Sequence, residues 1–277
     1  MINWNNKLTR GNHAFLSIIF FLLLLFISPP AFSSPNTSIK FSPGISFFNY
    51  QEFDSQSKRL NRERGSLYGF SSEVSYQGHK YHPAGSVSFL SGKVDYVGKT
   101  NKGRNGGTDT SELIIDINTS ISSEFVRTRL YSLSAKMYLG YRNWKRDIQS
   151  TTLAIGPLEY YRWYYVSAGY SISKVIDYQF QLNSELMIMA SPYSEIEFNF
   201  PGYDKAIANL GFTRGVKFKL DLLNKQSQFG LNFSYDLWLI ARNEAVSLYK
   251  NGTKSNLLLT EPKSITQTFG VGVSYKF

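Results

Sequence analysis

The chain has 277 residues, no cysteine, three histidines and a formal net charge of +10. The missing cysteine excludes disulfides, thiolate metal sites and a lipid-modified N-terminal cysteine. Phe, Tyr and Gly number 21, 19 and 21, yet mean hydropathy is only −0.24, and one long apolar run is present, near the start. Helical membrane spans are therefore excluded beyond that run.

Residues 1–13 carry Lys7 and Arg10 and no acid, and residues 14–28 read AFLSIIFFLLLLFIS. A run of about 15 residues is short of the roughly 20 that cross a bilayer. Ala31 and Ser33 fit the small-residue cleavage pattern before Ser34. This order predicts a signal peptide at 1–33, cut between Ser33 and Ser34 and read by the Sec route. A mature domain of 34–277 follows.

Ten strands are predicted after it from period-two alternation. The first, 41–53, is irregular, with Pro43 near its start. The second, 67–77, sets Tyr68, Phe70, Val74 and Tyr76 against Gly69, Ser71, Glu73 and Ser75. In the third, 84–97, Leu90, Val94 and Tyr96 oppose Lys93 and Asp95. The fourth, 111–122, places Ile115 and Ile117 against Glu112 and Asp116. The fifth, 130–142, places Met137, Leu139 and Tyr141 against Lys136 and Arg142. The sixth, 158–172, is aromatic on both faces, and Arg162 is taken to mark the inner one. The seventh, 177–190, sets Phe180, Leu182, Leu186 and Ile188 against Gln181, Asn183 and Glu185. The eighth, 206–222, carries Lys217, Lys219 and Asp221 on its polar face. The ninth, 228–239, carries Asn232, Ser234 and Asp236 there. The tenth, 265–277, alternates Phe269, Val271, Val273, Tyr275 and Phe277 with Gly270, Gly272, Ser274 and Lys276.

A soluble β-sandwich would also alternate, but its connections have no reason to sort by length. Here short joints (77–83, 123–128, 173–176, 223–227) alternate with long ones (54–65, 98–110, 143–157, 191–204, 241–261). That rhythm is expected of a transmembrane antiparallel up-and-down β-barrel with short periplasmic turns and longer outer loops. Ten strands are favoured over eight or twelve. The last strand, with Tyr275 and the terminal Phe277, resembles the closing strand of bacterial outer-membrane β-barrel proteins. That resemblance implies the bacterial outer membrane of a Gram-negative cell, with Tyr275 and Phe277 as the insertion signal read by the barrel-assembly machinery.

The polar face then lines the lumen, where Glu73, Asp116, Lys136, Arg142, Arg162, Glu185 and Asp236 are expected to form a network. Mixed signs favour mutual ion pairing, that is, a polar plug; a narrow solute path is the other reading. Ten-stranded surface proteases, the omptin family, are similar in size and strand number. Their chemistry needs a histidine at the outer rim. His13 lies in the predicted leader, and His79 and His82 lie in a periplasmic turn, so no catalytic constellation is expected. Nor is the Ser–His pairing of outer-membrane lipases. His79 and His82 lack a third ligand for a metal. No cofactor is implied.

Removing the leader leaves a net charge of about +8. Lys58, Arg59, Arg62 and Arg64 in the first outer loop form the sharpest candidate anion site. Lys99, Lys102, Arg104, Lys145, Arg146, Lys250, Lys254 and Lys263 are assigned to other loops. Lipopolysaccharide phosphates are one expected contact and anionic glycans another; no nucleic-acid motif occurs. Asn251-Gly252 reads as a turn. Two function classes follow: a structural or narrow-channel (porin-like) barrel, and a surface adhesin or binding protein.

Overall fold

In the computed structural model, residues 36–99, 105–152 and 154–277 are described. The predicted leader, its cleavage site at Ser33 and Ser34, and Lys102 and Arg104 lie outside the described residues.

Lipid offers no partner to a backbone N–H or C=O, so a spanning sheet must leave no edge. The chain meets this demand with ten long strands: β1 (Thr37–Phe53), β2 (Arg59–Tyr76), β3 (His82–Lys99), β4 (Asn105–Arg127), β5 (Tyr131–Ile148), β6 (Leu158–Val175), β7 (Phe180–Asn199), β9 (Thr213–Asn224), β10 (Phe229–Ile240) and β13 (Lys263–Lys276). Each pairs antiparallel with its neighbours. Closure comes from β1 on β13, with Ile45 opposite Val271 and Phe47 opposite Phe269. The irregular first strand is thus held by the aromatic last one. The ten-strand expectation is met, and no helix occurs among the described residues.

Three short strands decorate the outer end. The predicted eighth strand is broken at 210–212 into β8 (Ala206–Asn209) and β9, where Gly211 takes a positive φ. β11 (Val246–Lys250) and β12 (Thr253–Leu259) form a hairpin inside the last long connection. Its turn is the Asn251-Gly252 pair, with φ of 51° and 77°. Two positive φ values match the twist of a two-residue hairpin.

The periplasmic turns are short and tied by their own side chains. Thr128 Oγ1 accepts from Tyr131 N, Asp177 Oδ1 from Phe180 N and Asn224 Oδ1 from Ser227 N.

The "long loops" are the main surprise. Most of them are strand. β1 and β2 meet at a tight turn in which Asp54 Oδ1 accepts from Gln56 N and Lys58 N. Outward-facing tyrosines bracket the membrane. Tyr68, Tyr141, Tyr164 and Tyr193 mark the outer level, and Tyr76, Tyr131, Tyr170 and Tyr178 the periplasmic one. Val74, Ile117, Met137, Leu139, Val166, Leu186, Ile188, Leu231 and Val273 lie exposed on the same outer face. These are the aromatic girdles and apolar band of a membrane barrel. Beyond the outer girdle the strands continue into water.

Candidate functional site: the lumen and its outer constriction

The lumen is built in layers, each from residues of one parity on successive strands. In the periplasmic half, Glu185 on β7 gathers three donors. Lys136 Nζ lies at 2.8 Å, Tyr138 Oη donates at 2.8 Å, and Lys219 Nζ lies at 4.0 Å. Lys40 pairs with Asp221 at 3.1 Å. Glu73 faces Lys40, Lys136 and Lys219. A cavity of about 290 Å³ surrounds this layer, edged by Ser38, Ser75, Ser134 and Lys276.

The middle layer centres on Arg142, which bridges Asp116 at 2.9 Å and Asp236 at 2.5 Å. Tyr165 Oη donates to Asp116 at 2.7 Å, and Lys217 sits 3.8 Å from Asp236. The guanidinium lies under Trp163 and Trp238, which meet edge to face at 5.3 Å. A second cavity, of about 180 Å³, reaches Asp116 and Arg142.

Above these tryptophans the passage is filled. Phe48, Tyr50, Trp144 and Tyr161 interlock, with Trp144 stacked on Tyr161 at 4.5 Å. Arg146 lies over the Tyr50 ring at 4.1 Å and is fully buried. Its guanidinium meets Glu63 at 2.7 Å, Glu159 at 2.7 Å and Glu52 at 3.5 Å. Tyr50 and Tyr161 donate to Glu261 at 3.0 and 2.6 Å. Trp144 Nε1 donates to Glu112.

Five glutamates thus converge on one arginine. Glu63, Arg146 and Glu159 each lie five residues beyond an outer-girdle tyrosine (Tyr68, Tyr141 and Tyr164). That is about 12 Å above it along tilted strands. The cluster therefore stands outside the membrane-spanning segments. Burial raises the Glu261 carboxyl well above the usual range, reinforced by Glu52 and Glu159. Burial likewise pushes Glu159 up to about 7; Arg146 opposes this, and Glu52 and Glu63 add to it. Among the described residues no group of three or more His, Asp or Glu side chains is arranged to hold a metal.

Of the predicted network, Asp116, Arg142 and Asp236 share one layer and Lys136, Glu185 and Glu73 another. Arg162 is a correction. It lies on the outer wall, bridging Glu195 at 3.0 Å and Glu197 at 2.6 Å on β7. It stands above the girdle, where the outside is water and an outward arginine incurs no lipid penalty. Lys93 and Asp95 also face outward, while Val94 is buried inside. The physical reason is the same: polarity inverts at the girdle. Below it the wall is apolar outside and polar inside; above it the outside is charged and the inside is dry.

The predicted anion loop is corrected too. Lys58 is in the turn, but Arg59, Arg62 and Arg64 belong to β2. Arg62 and Arg64 point outward, and Arg64 Nε donates to Asn49. Lys145 and Arg146 are strand residues as well, one outward and one inward. Arg146, Glu63, Glu159 and Glu261 were missed. Extending the alternation of β5 by two steps, Arg142–Trp144–Arg146, would have found the arginine. Glu261 sits in a connection and left no periodic signal.

No family model matches the chain, and no curated protein matches it. Solved structures do. The outer membrane protease OmpT from Escherichia coli is similar over 90% of this chain and 99% of its own, at 10% identity and TM-score 0.58. The transport unit of the autotransporter AIDA-I from Escherichia coli is similar over 96% of this chain and 98% of its own, at 9% identity and TM-score 0.46. The translocator domain of the autotransporter NalP from Neisseria meningitidis is similar over 96% and 97%, at 10% identity and TM-score 0.39. The first likeness carries the fold. His79 and His82 lie in and beside the first periplasmic turn, at the opposite end from the outer rim.

Proposed function

We propose that this chain, with the closed ten-stranded fold of bacterial outer-membrane β-barrels, acts as a sealed, non-enzymatic barrel that works through its outer wall. The carrying observation is the filled outer lumen. Trp144, Tyr161, Trp163, Trp238 and Arg146 are each no more than 1% exposed, and they come from three different strands. On this reading a passage so packed holds no continuous water path, unlike an open porin.

The wall above the outer girdle carries Arg62, Arg64, Lys93 and Lys145 facing outward. At that height an outer-leaflet barrel meets the phosphates of lipopolysaccharide. Arg and Lys suit phosphate oxygens through charge-assisted hydrogen bonds. Export by the Sec route and insertion through the assembly machinery belong to the same reading. A narrow solute path is the second reading. The periplasmic cavities favour it, and it requires the constriction to move.

The test has two arms. Purified barrel in planar bilayers should show no steady conductance at neutral pH; a stable open channel overturns the sealed reading. Lipopolysaccharide binding should weaken when Arg62, Arg64 and Lys93 become glutamate, and when phosphate is stripped from the glycolipid. Equal binding of native and dephosphorylated glycolipid overturns the phosphate reading.

A further inference from the structure

Inside the outer constriction, Glu63 and Glu112 are both enclosed, with 0% and 1% exposure. Glu63 Oε1 accepts from Thr110 Oγ1 at 3.0 Å and from Arg146 at 2.7 Å. Glu112 Oε2 accepts from Trp144 Nε1. Their remaining oxygens, Glu63 Oε2 and Glu112 Oε1, are buried and have no donor. Thr110, whose hydroxyl donates to Glu63, lies two residues from Glu112 on β4, and Glu112 stands opposite Arg146 in the β4–β5 register, so the two carboxyls share one pocket. Two acceptors that face each other in a dry site repel unless something positive lies between them.

We infer that Glu63 and Glu112 bind one proton between them, carried on Glu112 Oε1 and donated to Glu63 Oε2, and that this shared proton holds the outer constriction together. One proton satisfies both orphaned oxygens at once. A metal ion fits less well, because the other oxygens are already engaged by Thr110, Arg146 and Trp144. Arg146 cannot do the work alone. Around the pair stand Tyr50 and Glu52 on β1, Tyr96 on β3, Arg146 on β5, and Glu159 and Tyr161 on β6. Glu261, just before β13, completes the ring. Five carboxylates against a single guanidinium would be strongly unbalanced if all were ionised.

Burial and the neighbouring Glu63 raise the Glu112 carboxyl well above its ordinary range. The sign follows from linkage. A carboxyl raised on folding stabilises the fold fully below its unfolded value, roughly 4.3, and loses that contribution as pH rises through the folded value. The outer half of the barrel is therefore an alkali-sensitive latch. It rests on the constriction alone, whatever the wall binds.

The experiment uses the purified barrel in detergent micelles. Infrared spectra at neutral pH should contain a carboxylic-acid carbonyl band that disappears in Glu112→Gln. The melting temperature of the wild type should fall as pH is raised above neutral. In Glu112→Gln that fall should be reduced, because the amide N–H replaces the acid O–H as donor to Glu63 and does not titrate. Absence of any acid carbonyl band in the wild type at neutral pH overturns the proposal, even if the variant fails to fold. An alkaline loss of equal size in both proteins overturns it as well. Conductance at neutral pH bears on the sealed-barrel reading and not on this one.

Discussion

Arg146 and Glu63 meet at 2.7 Å with neither side chain reaching solvent. They come from β5 and β2, three strands apart around the barrel, so their contact spans the lumen instead of following the sheet. The pair, with aromatic rings packed against the guanidinium, fills the outer end of the lumen. A buried pair of this kind contributes little net stability over an apolar filling, but removing one partner is costly.

The first prediction concerns that arginine. Arg146→Met leaves Glu63, Glu159 and Glu52 buried without a counter-charge. Denaturation of the purified barrel should show a loss of about 3–5 kcal/mol. Arg146→Lys should recover only part of it, since an ammonium cannot present the planar fork that spans Glu63 and Glu159. Wild-type stability in the methionine variant would mean that the stopper contributes nothing to the fold.

Glu185 and Arg162 should separate cleanly. Glu185→Ala strands Lys136 and Lys219 in the lumen and is expected to cost about 3 kcal/mol. Arg162→Ala removes a half-buried outer-wall bridge to Glu195 and Glu197 and should cost within about 1 kcal/mol. Heat-induced mobility shifts on gels, read side by side, test the ordering. A larger effect at Arg162 would put it back inside.

A glycine supports the middle layer. Gly140, on the inner face of β5, lies directly under the Tyr165 ring, and a Cβ there would collide with ring carbons. Tyr165 in turn donates to Asp116. Covering a strand glycine with an aromatic ring is a recurrent device in closed sheets. Gly140→Ala should therefore cost about 1–3 kcal/mol. Gly107→Ala, whose nearest neighbour is at ordinary contact distance, should stay within about 0.5 kcal/mol. Equal melting temperatures for the two variants would contradict the close approach.

The last strand makes a prediction about assembly instead of stability. Tyr275 packs between Phe229 and Phe277, with ring centroids at 4.9 and 4.7 Å, on the outer face at the periplasmic end. Phe277 is itself exposed, so Phe277→Ser should barely change melting of the refolded barrel. In cells the same variant should lower the amount of folded barrel recovered from outer membranes. Unchanged recovery would show that the terminal aromatic is not the insertion signal.

Alternation in the membrane band was legible because one solvent, hydrocarbon, acts on every outward side chain there. Met137 and Leu139 against Lys136 and Arg142, or Phe269 and Val273 against Gly270 and Ser274, read directly as outside and inside. The turns were legible too: Asp177, Asn224 and Asn251-Gly252 act within a few residues of themselves. Lys93, Asp95 and Arg162 misled, because they lie past the girdle. There the outward solvent is water, and the rule equating charge with lumen reverses.

By itself, then, the order of residues determined a period-two chain with short periplasmic turns and an aromatic last strand, since those depend on neighbours and on the surrounding medium. Where the strands leave the bilayer, and that Glu63, Glu112, Glu159 and Glu261 gather on Arg146, was decided only in three dimensions. Barrel closure brings distant strands to one axis at a height set by their stagger. No local pattern along the chain encodes which glutamate will face which arginine across it.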